Sequence, residues 1–239
     1  MLTPTSLLIS QILAHIGLLW MIFNGSWIQW VVVLCVLFLN GCLGMTMTYH
    51  RLLSHRSWSI PKPIERLFVI FATIGLTGSA ISWVSIHRKH HRYTDQLQDP
   101  HSPKHKSWFY CHFLSMYSKV EPKYAMDLLK DKFYVIQHRY YFIFSLVWAI
   151  LMVLIFQDPY AVMYAWLAPA AILWNTGSAI VSISHRHGAV YNDTVLALLV
   201  WGEGYHAAHH ANPGASRFGK YDLGGILIEF IKKITKSKQ

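Results

Sequence analysis

Four apolar runs that contain no Asp, Glu, Lys or Arg constrain the fold of this 239-residue sequence more than any other feature. They cover residues 7–23, 28–48, 140–156 and 160–183. Because a helix needs about 20 mostly apolar residues to cross a bilayer, each run is predicted to span a membrane. Short polar turns at residues 24–26 and 157–159 separate the runs in pairs, so we expect two helical hairpins.

A fifth run, residues 67–86, is long enough to span but is interrupted by small and polar residues. Gly75 and Gly78 favour a break within it. If this run crossed the membrane, the basic residues of the chain would be divided between the two sides. We therefore predict that it is re-entrant or interfacial, with its broken backbone packed against protein.

The positions of the basic residues test this layout, because cytoplasmic loops of membrane proteins hold the excess of Lys and Arg. Of the 21 such residues, 14 lie in residues 49–140 and 7 in residues 185–239. Four spans place both regions on the cytosolic side. The predicted fold class is all-α and integral membrane. One domain, residues 1–239, has four transmembrane helices in two hairpins and a cytosolic helical cap.

Two further segments are predicted to lie at the membrane surface. Residues 108–117 are aromatic but too short to span. Residues 223–234 repeat apolar side chains at helical spacing, with Lys232 and Lys233 on the opposite face. This helix fits an anionic membrane surface or, equally, a cap over the cytosolic part. The net charge of +10 is then explained by topology and lipid contact and needs no nucleic acid partner.

Eight of the 15 histidines are bunched into three clusters on the predicted cytosolic side. The clusters are His50 and His55; His87, His90 and His91; and His206, His209 and His210. In the second and third clusters, the spacing i, i+3, i+4 places all three imidazoles on one helix face. His50 and His55, five residues apart, diverge more on an α-helix and could reach different metals.

Eight clustered imidazoles exceed the four positions of a tetrahedral zinc site, so two metals are implied. The competing interpretation is a set of polar histidines at a membrane interface, and the repeated H-x-x-H-H spacing on one side argues against it. The other histidines lack this spacing. Among them, His15 is interpreted as a hydrogen-bonding residue within the first span.

These motifs resemble the membrane fatty-acid desaturases of the acyl-CoA and bacterial acyl-lipid delta-9 type. The resemblance extends over most of the chain and rests on residues 49–58, 87–95, 99–101, 202–210 and 221–223, together with Trp83. It implies two iron ions (Fe2+) held by nine catalytic histidines. The ninth lies just after the last span in a stretch ending His-x-x-Gly, so the resemblance assigns His185.

Two positions depart from the family pattern. The family usually has Asn four residues before the ninth histidine, where this chain has Val181. It also commonly has Asn after the first histidine of the last cluster, where this chain has Ala207. Both changes leave the histidine ligands in place. They concern the groups around those ligands, and hence activity on the usual substrate.

The resemblance implies removal of two hydrogens from an unactivated acyl chain by O2 and two external electrons. Iron suits this reaction because it changes oxidation state, which zinc does not. Imidazole ligands also need acceptors that orient their rings, and Glu203, Asp95 and Asp99 are the nearby carboxylates.

An acyl substrate needs a narrow apolar tunnel that leads from the metals into the helix bundle. The second span ends at His50 and is the expected wall. Phe38, three turns earlier, is a candidate for limiting acyl chain length, and Trp83 is a second tunnel candidate. The alternatives are lipid contact for Phe38 and ordinary aromatic packing for Trp83.

The sequence has no His-Pro-Gly-Gly haem motif, so we expect a separate electron donor of ferredoxin or cytochrome b5 type. The basic cytosolic face suits such a partner. Hydroxylation of a fatty-acyl or alkyl chain on the same di-iron scaffold is the alternative reaction. A metal transporter is the alternative that is not an enzyme, and it predicts ionisable ligands near mid-membrane. The double-bond position, the chain length and the acyl carrier, a thioester or a lipid, are left open.

Overall fold

The computed structural model describes residues 2–236, and that part of the chain forms helices and loops without a strand. The helices are α1 (Pro4–Asn24), α2 (Trp27–Ser54), α3 (Lys62–Ile74), α4 (Ala80–Arg92), α5 (Met126–Leu129), α6 (Lys132–Arg139), α7 (Tyr141–Phe156), α8 (Met163–Ser184), α9 (Thr194–Leu199), α10 (His206–Ala211) and α11 (Leu223–Lys236). Short 3-10 and π turns between residues 110 and 124 connect α4 to α5. The prediction of an all-α fold is confirmed for the described residues.

A short connection joins the first two helices, and side chains define where each begins. Thr3 accepts a hydrogen bond from the backbone N–H of Ser6, which caps α1, and Ser26 caps α2 in the same way through Gln29. Such caps satisfy N–H groups that have no partner within the helix. Because α1 ends just before the cap of α2, the connection is short. Both helices pack on α8, and their hairpin arrangement remains a prediction.

The second half of α2 is wound differently from an α-helix. Over Phe38–Ser54 its backbone hydrogen bonds join residues five apart, which is the π-helical pattern. The bond from the N–H of His55 to the carbonyl of His50 measures 3.2 Å and continues this pattern. Residues five positions apart therefore lie on the same face, and His50 and His55 point to the same side.

The fifth apolar run is broken where its glycines stand. Helix α3 ends at Ile74, and α4 starts at Ala80 with Ser79 as its cap. Between them Gly78 has a φ of +102°, which side chains of other residues rarely adopt. Each helix has 13 residues, about 20 Å, and is too short to cross about 30 Å of hydrocarbon.

A second bend packs against this break. Helices α6 and α7 meet at 74°. The N–H of Gly78 donates to the hydroxyl of Tyr141 at 3.1 Å, and the N–H of Ala80 donates to the side-chain carbonyl of Gln137 at 3.1 Å. These side chains satisfy backbone groups that the break exposes, as buried backbone requires.

Three helices are long and apolar enough to cross a membrane, and a fourth span results if the bent pair α6–α7 counts as one. The three are α1, α2 and α8, which contain the predicted runs 7–23 and 28–48 and all but the first three residues of run 160–183. Run 140–156 corresponds to α7, whose outward residues Ile143 and Leu154 are more than half exposed. The chain is therefore a membrane protein with three to four apolar helices. The four-span layout and the cytosolic cap remain predictions.

Candidate metal centre

Four parts of the fold bring the predicted histidines together. The end of α2 carries His50 and His55, and α4 carries His87, His90 and His91. His185 directly follows α8, and α10 carries His206, His209 and His210. All nine lie in two adjoining groups of imidazoles.

The first histidine group contains five residues whose potential ligand atoms all lie within 4.8 Å of one another: His50, His55, His87, His91 and His209. Their Nε2 atoms converge. The Nε2 atoms of His55 and His87 are 2.8 Å apart, and Nε2 of His209 lies 3.1 Å from that of His50 and 2.8 Å from that of His91. His50 and His55 thus face the same centre. Their expected divergence is wrong, because α2 is π-helical here.

The second histidine group contains four residues that meet the same 4.8 Å limit: His90, His185, His206 and His210. Nε2 of His206 lies 2.9 Å from that of His185 and 3.2 Å from that of His210. Nε2 of His90 lies 3.2 Å from that of His210. This group includes the ninth histidine, which resemblance rather than helical spacing had suggested.

These distances fit nitrogen atoms that share a metal ion. Nitrogen ligands held about 2.1 Å from one ion at right angles lie about 3.0 Å apart, and the Nε2 separations here are 2.8–3.2 Å. A neutral imidazole carries only one N–H. Several of these nitrogens therefore face one another as lone pairs, an arrangement that a cation stabilises.

Three carboxylates fix which nitrogen carries the proton. Nδ1 of His50 lies 2.6 Å from Glu203, Nδ1 of His90 lies 2.9 Å from Asp99, and Nδ1 of His185 lies 3.2 Å from Asp95. Because a carboxylate accepts the Nδ1–H, each Nε2 keeps a free lone pair. The three acids proposed from sequence each contact a different candidate ligand.

Burial lowers the pKa of seven of the nine candidate ligands. Removal from water lowers the pKa of His55 and of His210 to about 2, with a further contribution from neighbouring imidazoles. The same two causes lower the pKa of other members of both groups: His87, His90, His91, His206 and His209. Metal binding requires neutral imidazole, so these seven histidines are in their ligating form at neutral pH.

A cavity with about 1120 Å³ of empty space, counting its mouth, opens beneath both groups. Its wall contains His50 and His87 of the first group and His90 and His206 of the second. The rest is largely apolar and comes from several elements: Leu7, Met45, Trp83, Met116, Leu173 and Trp201. The space thus runs from both imidazole groups between the helices.

The two aromatic candidates occupy different positions. Trp83 lines the cavity and stacks on His87, with the ring centroids 4.7 Å apart. Phe38 lies outside the described lining and packs edge-on against Trp201, which does line it, at 5.6 Å between ring centroids. Val181 is part of the wall, so the first of the two positions that depart from the resemblance faces the cavity.

Helical spacing did not identify two residues that lie at the site, His101 and Arg51. His101 is buried against His90, with ring centroids 4.4 Å apart, and can form a further metal-binding set with His90 and Asp99. Arg51 is completely buried beside Glu203. His101 follows Asp99 by two positions, so its nearness to the site could have been inferred from that short spacing. The partners of Arg51 are more than 150 residues away in sequence, and no local pattern signals them.

Comparison with known proteins agrees with these features. A family model described as fatty acid desaturase matches residues 26–219. An sn-1 stearoyl-lipid 9-desaturase of Synechocystis sp. is 28% identical over 217 residues, which cover 84% of this chain and 68% of the relative. An acyl-CoA 5-desaturase of Anemone leveillei is 32% identical over 213 residues, covering 82% of this chain and 65% of the relative. An sn-2 palmitoyl-lipid 9-desaturase of Nostoc sp. is 30% identical over 213 residues, covering 82% of this chain and 74% of the relative.

Proposed function

The chain belongs to the fatty acid desaturase family and is an oxidoreductase; within that family, we propose that it introduces a cis double bond at the delta-9 position of a saturated acyl chain. The functional unit is a single membrane-embedded domain of residues 1–239. Support for delta-9 comes from the sequence motifs and from the relatives named as 9-desaturases.

One observation carries this proposal: two groups of converging imidazoles open onto one largely apolar cavity. The nine histidines of these groups are proposed to hold two iron ions. Iron bound there would supply the redox chemistry that an unactivated C–H bond requires. In the overall reaction the acyl chain loses two hydrogens, and O2 takes these with two electrons and two protons to give two water molecules.

The chain's own residues have defined tasks in this proposal. Glu203, Asp95 and Asp99 hold three imidazole rings in place through their Nδ1–H groups. The apolar wall excludes water and binds the acyl chain along its length. Trp83 packs flat on His87 and borders the reacting segment of the chain.

The partners follow from the same layout. The substrate is an acyl thioester or an acyl-lipid, since relatives of both kinds are named among the matches. Electrons come from a separate protein of ferredoxin or cytochrome b5 type, which docks on basic residues near the histidines. We place this face on the cytoplasmic side, because both regions rich in Lys and Arg flank the spans there.

Fatty-acid analysis of a producing host tests the proposal. The chain is expressed with a compatible reductase, and the methyl esters of the host lipids are compared with those from a His90→Ala control. We expect new monounsaturated esters with the double bond at carbon 9 in the parent alone. Identical profiles, with iron present in the parent, contradict desaturation, and hydroxylated products would support the hydroxylase alternative.

A further inference from the structure

A buried ionic cluster stands directly behind the first histidine group. The guanidinium of Arg51, with no exposed side-chain surface, donates to Oε1 of Glu203 through Nε at 3.2 Å and Nη2 at 3.0 Å. Its Nη1 donates to Oδ2 of Asp222 at 2.9 Å and to the carbonyl of Ser216 at 3.0 Å. One arginine therefore joins two buried carboxylates from different parts of the chain.

Glu203 connects the buried ionic cluster to a candidate metal ligand, His50. While Oε1 accepts from Arg51, Oε2 accepts from Nδ1 of His50 at 2.6 Å. With both oxygens engaged, the carboxylate has one orientation, and the ring of His50 is fixed by it. Arg51 has no described hydrogen bond to a histidine, so its hydrogen-bonded connection to the site runs through Glu203.

Asp222 ties the same cluster to the last helix. Its Oδ1 accepts from the N–H of Gly225 in the first turn of α11, and its Oδ2 accepts from the N–H of Phe218 at 2.7 Å as well as from Arg51. The ring of Phe218 lies between the cation and the site, 4.2 Å from the guanidinium carbon and 4.8 Å from the centroid of His209. The start of α11 thus adjoins the first group.

We propose that Arg51 and Asp222 are positioning residues for the first histidine group, acting through Glu203 on the ring of His50. The inference rests on the proposed di-iron function and deepens it, since it assigns different residues to orient the histidines of each ion. The second group is oriented by Asp95 and Asp99, which contact His185 and His90. Loss of Asp222 should therefore weaken one ion and spare the other.

Metal titration of the full-length protein in detergent tests this assignment. Co²⁺ replaces iron as a spectroscopic probe, and binding is measured by competition with a chelator together with the visible absorption of Co²⁺. The variants are Asp222→Asn, which keeps the shape of the side chain, and Arg51→Lys, which keeps the charge. Glu65→Gln is the matched control, because Glu65 is a buried carboxylate bound to Lys62 and Tyr134 and lies outside both groups.

We expect the parent and Glu65→Gln to bind about two ions per chain. In Asp222→Asn one of the two affinities falls about 10- to 100-fold, as for other groups that orient ligands, and one component of the Co²⁺ spectrum changes. Arg51→Lys shows the same selective loss, because an ammonium cannot reproduce the planar fork between two carboxylates.

The outcomes separate the inference from the function on which it rests. The positioning role is overturned if either Asp222→Asn or Arg51→Lys binds both ions with the parental affinities. It is also overturned if a variant binds both ions equally more weakly. Each of these results leaves the di-iron proposal standing. A folded parent that binds no transition metal overturns both.

Discussion

Single atoms of the histidine rings decide what this site can bind. In three rings a carboxylate takes the Nδ1–H, and the Nε2 lone pair is left to face the other imidazoles. The acids that hold the rings therefore matter almost as much as the ligands themselves.

Asp99→Asn tests this role in the second histidine group. Both carboxylate oxygens of Asp99 lie within 3.0 Å of Nδ1 of His90, and they also accept the backbone N–H groups of Asp95 and His101. An amide offers one acceptor in place of two, so we expect one metal affinity to fall about 10- to 100-fold. Chelator competition measures this, with Asp158→Asn as the control, because Asp158 lies in the turn between α7 and α8 and outside both histidine groups. Unchanged binding of both ions would show that Asp99 does not orient a ligand.

Residues with helical spacing were predictable from sequence, and residues joined by distant contacts were not. The i, i+3, i+4 pattern identified His87, His90 and His91 as candidate ligands, because residues with this spacing lie on one face of a helix. Arg51 depends on Glu203 and Asp222, which pack beside it only after the chain has folded. The family resemblance, which the family match confirms, supplied His185.

The break between α3 and α4 depends on Gly78, which adopts a positive φ there. We expect Gly78→Ala to destabilise the protein by about 1–2 kcal/mol, because a side chain at positive φ is strained, and its Cβ would lie 2.9 Å from the hydroxyl of Ser82. Gly177→Ala is the control, since it lies within α8 and its Cβ would meet no atom within 4 Å. Apparent melting temperatures in detergent compare the two. Equal melting temperatures would refute the role of the break.

The winding of α2 explains why Phe38 was hard to place from sequence. An α-helical period was assumed, but from Phe38 onward the hydrogen bonds join residues five apart, and this turns the later side chains relative to that period. As a result Phe38 supports Trp201, and Trp201 forms the cavity wall. The effect of Phe38 on acyl chain length is therefore proposed to be indirect.

Phe38→Ala should shift the products toward longer acyl chains, because Trp201 loses the ring that holds it in the cavity wall. Methyl-ester analysis of host lipids gives the chain-length distribution. Phe71→Ala is the control, since Phe71 is also half-buried but packs against Phe68 outside the described cavity wall. An unchanged distribution in Phe38→Ala would rule out this indirect effect.

In the molecule as a whole, long apolar helices form the part predicted to span the membrane, and a separate cluster of histidines forms the candidate metal centre. Composition predicted the helices well, because an apolar run of about 20 residues without charge is typical of a helix that spans a membrane. It did not predict the 74° bend between α6 and α7, which depends on packing against the break near Gly78. The histidines lie where the ends of α2, α4 and α8 meet α10.

The iron content of the purified, folded chain tests the central claim most directly. Metal analysis by mass spectrometry, normalised to protein concentration, is run on the parent and on His90→Ala. We predict about two iron ions per parent chain and a clear loss in the variant. A monodisperse parent that holds well under two ions under iron-replete conditions, or a variant that holds as many as the parent, would contradict a di-iron centre built from these histidines.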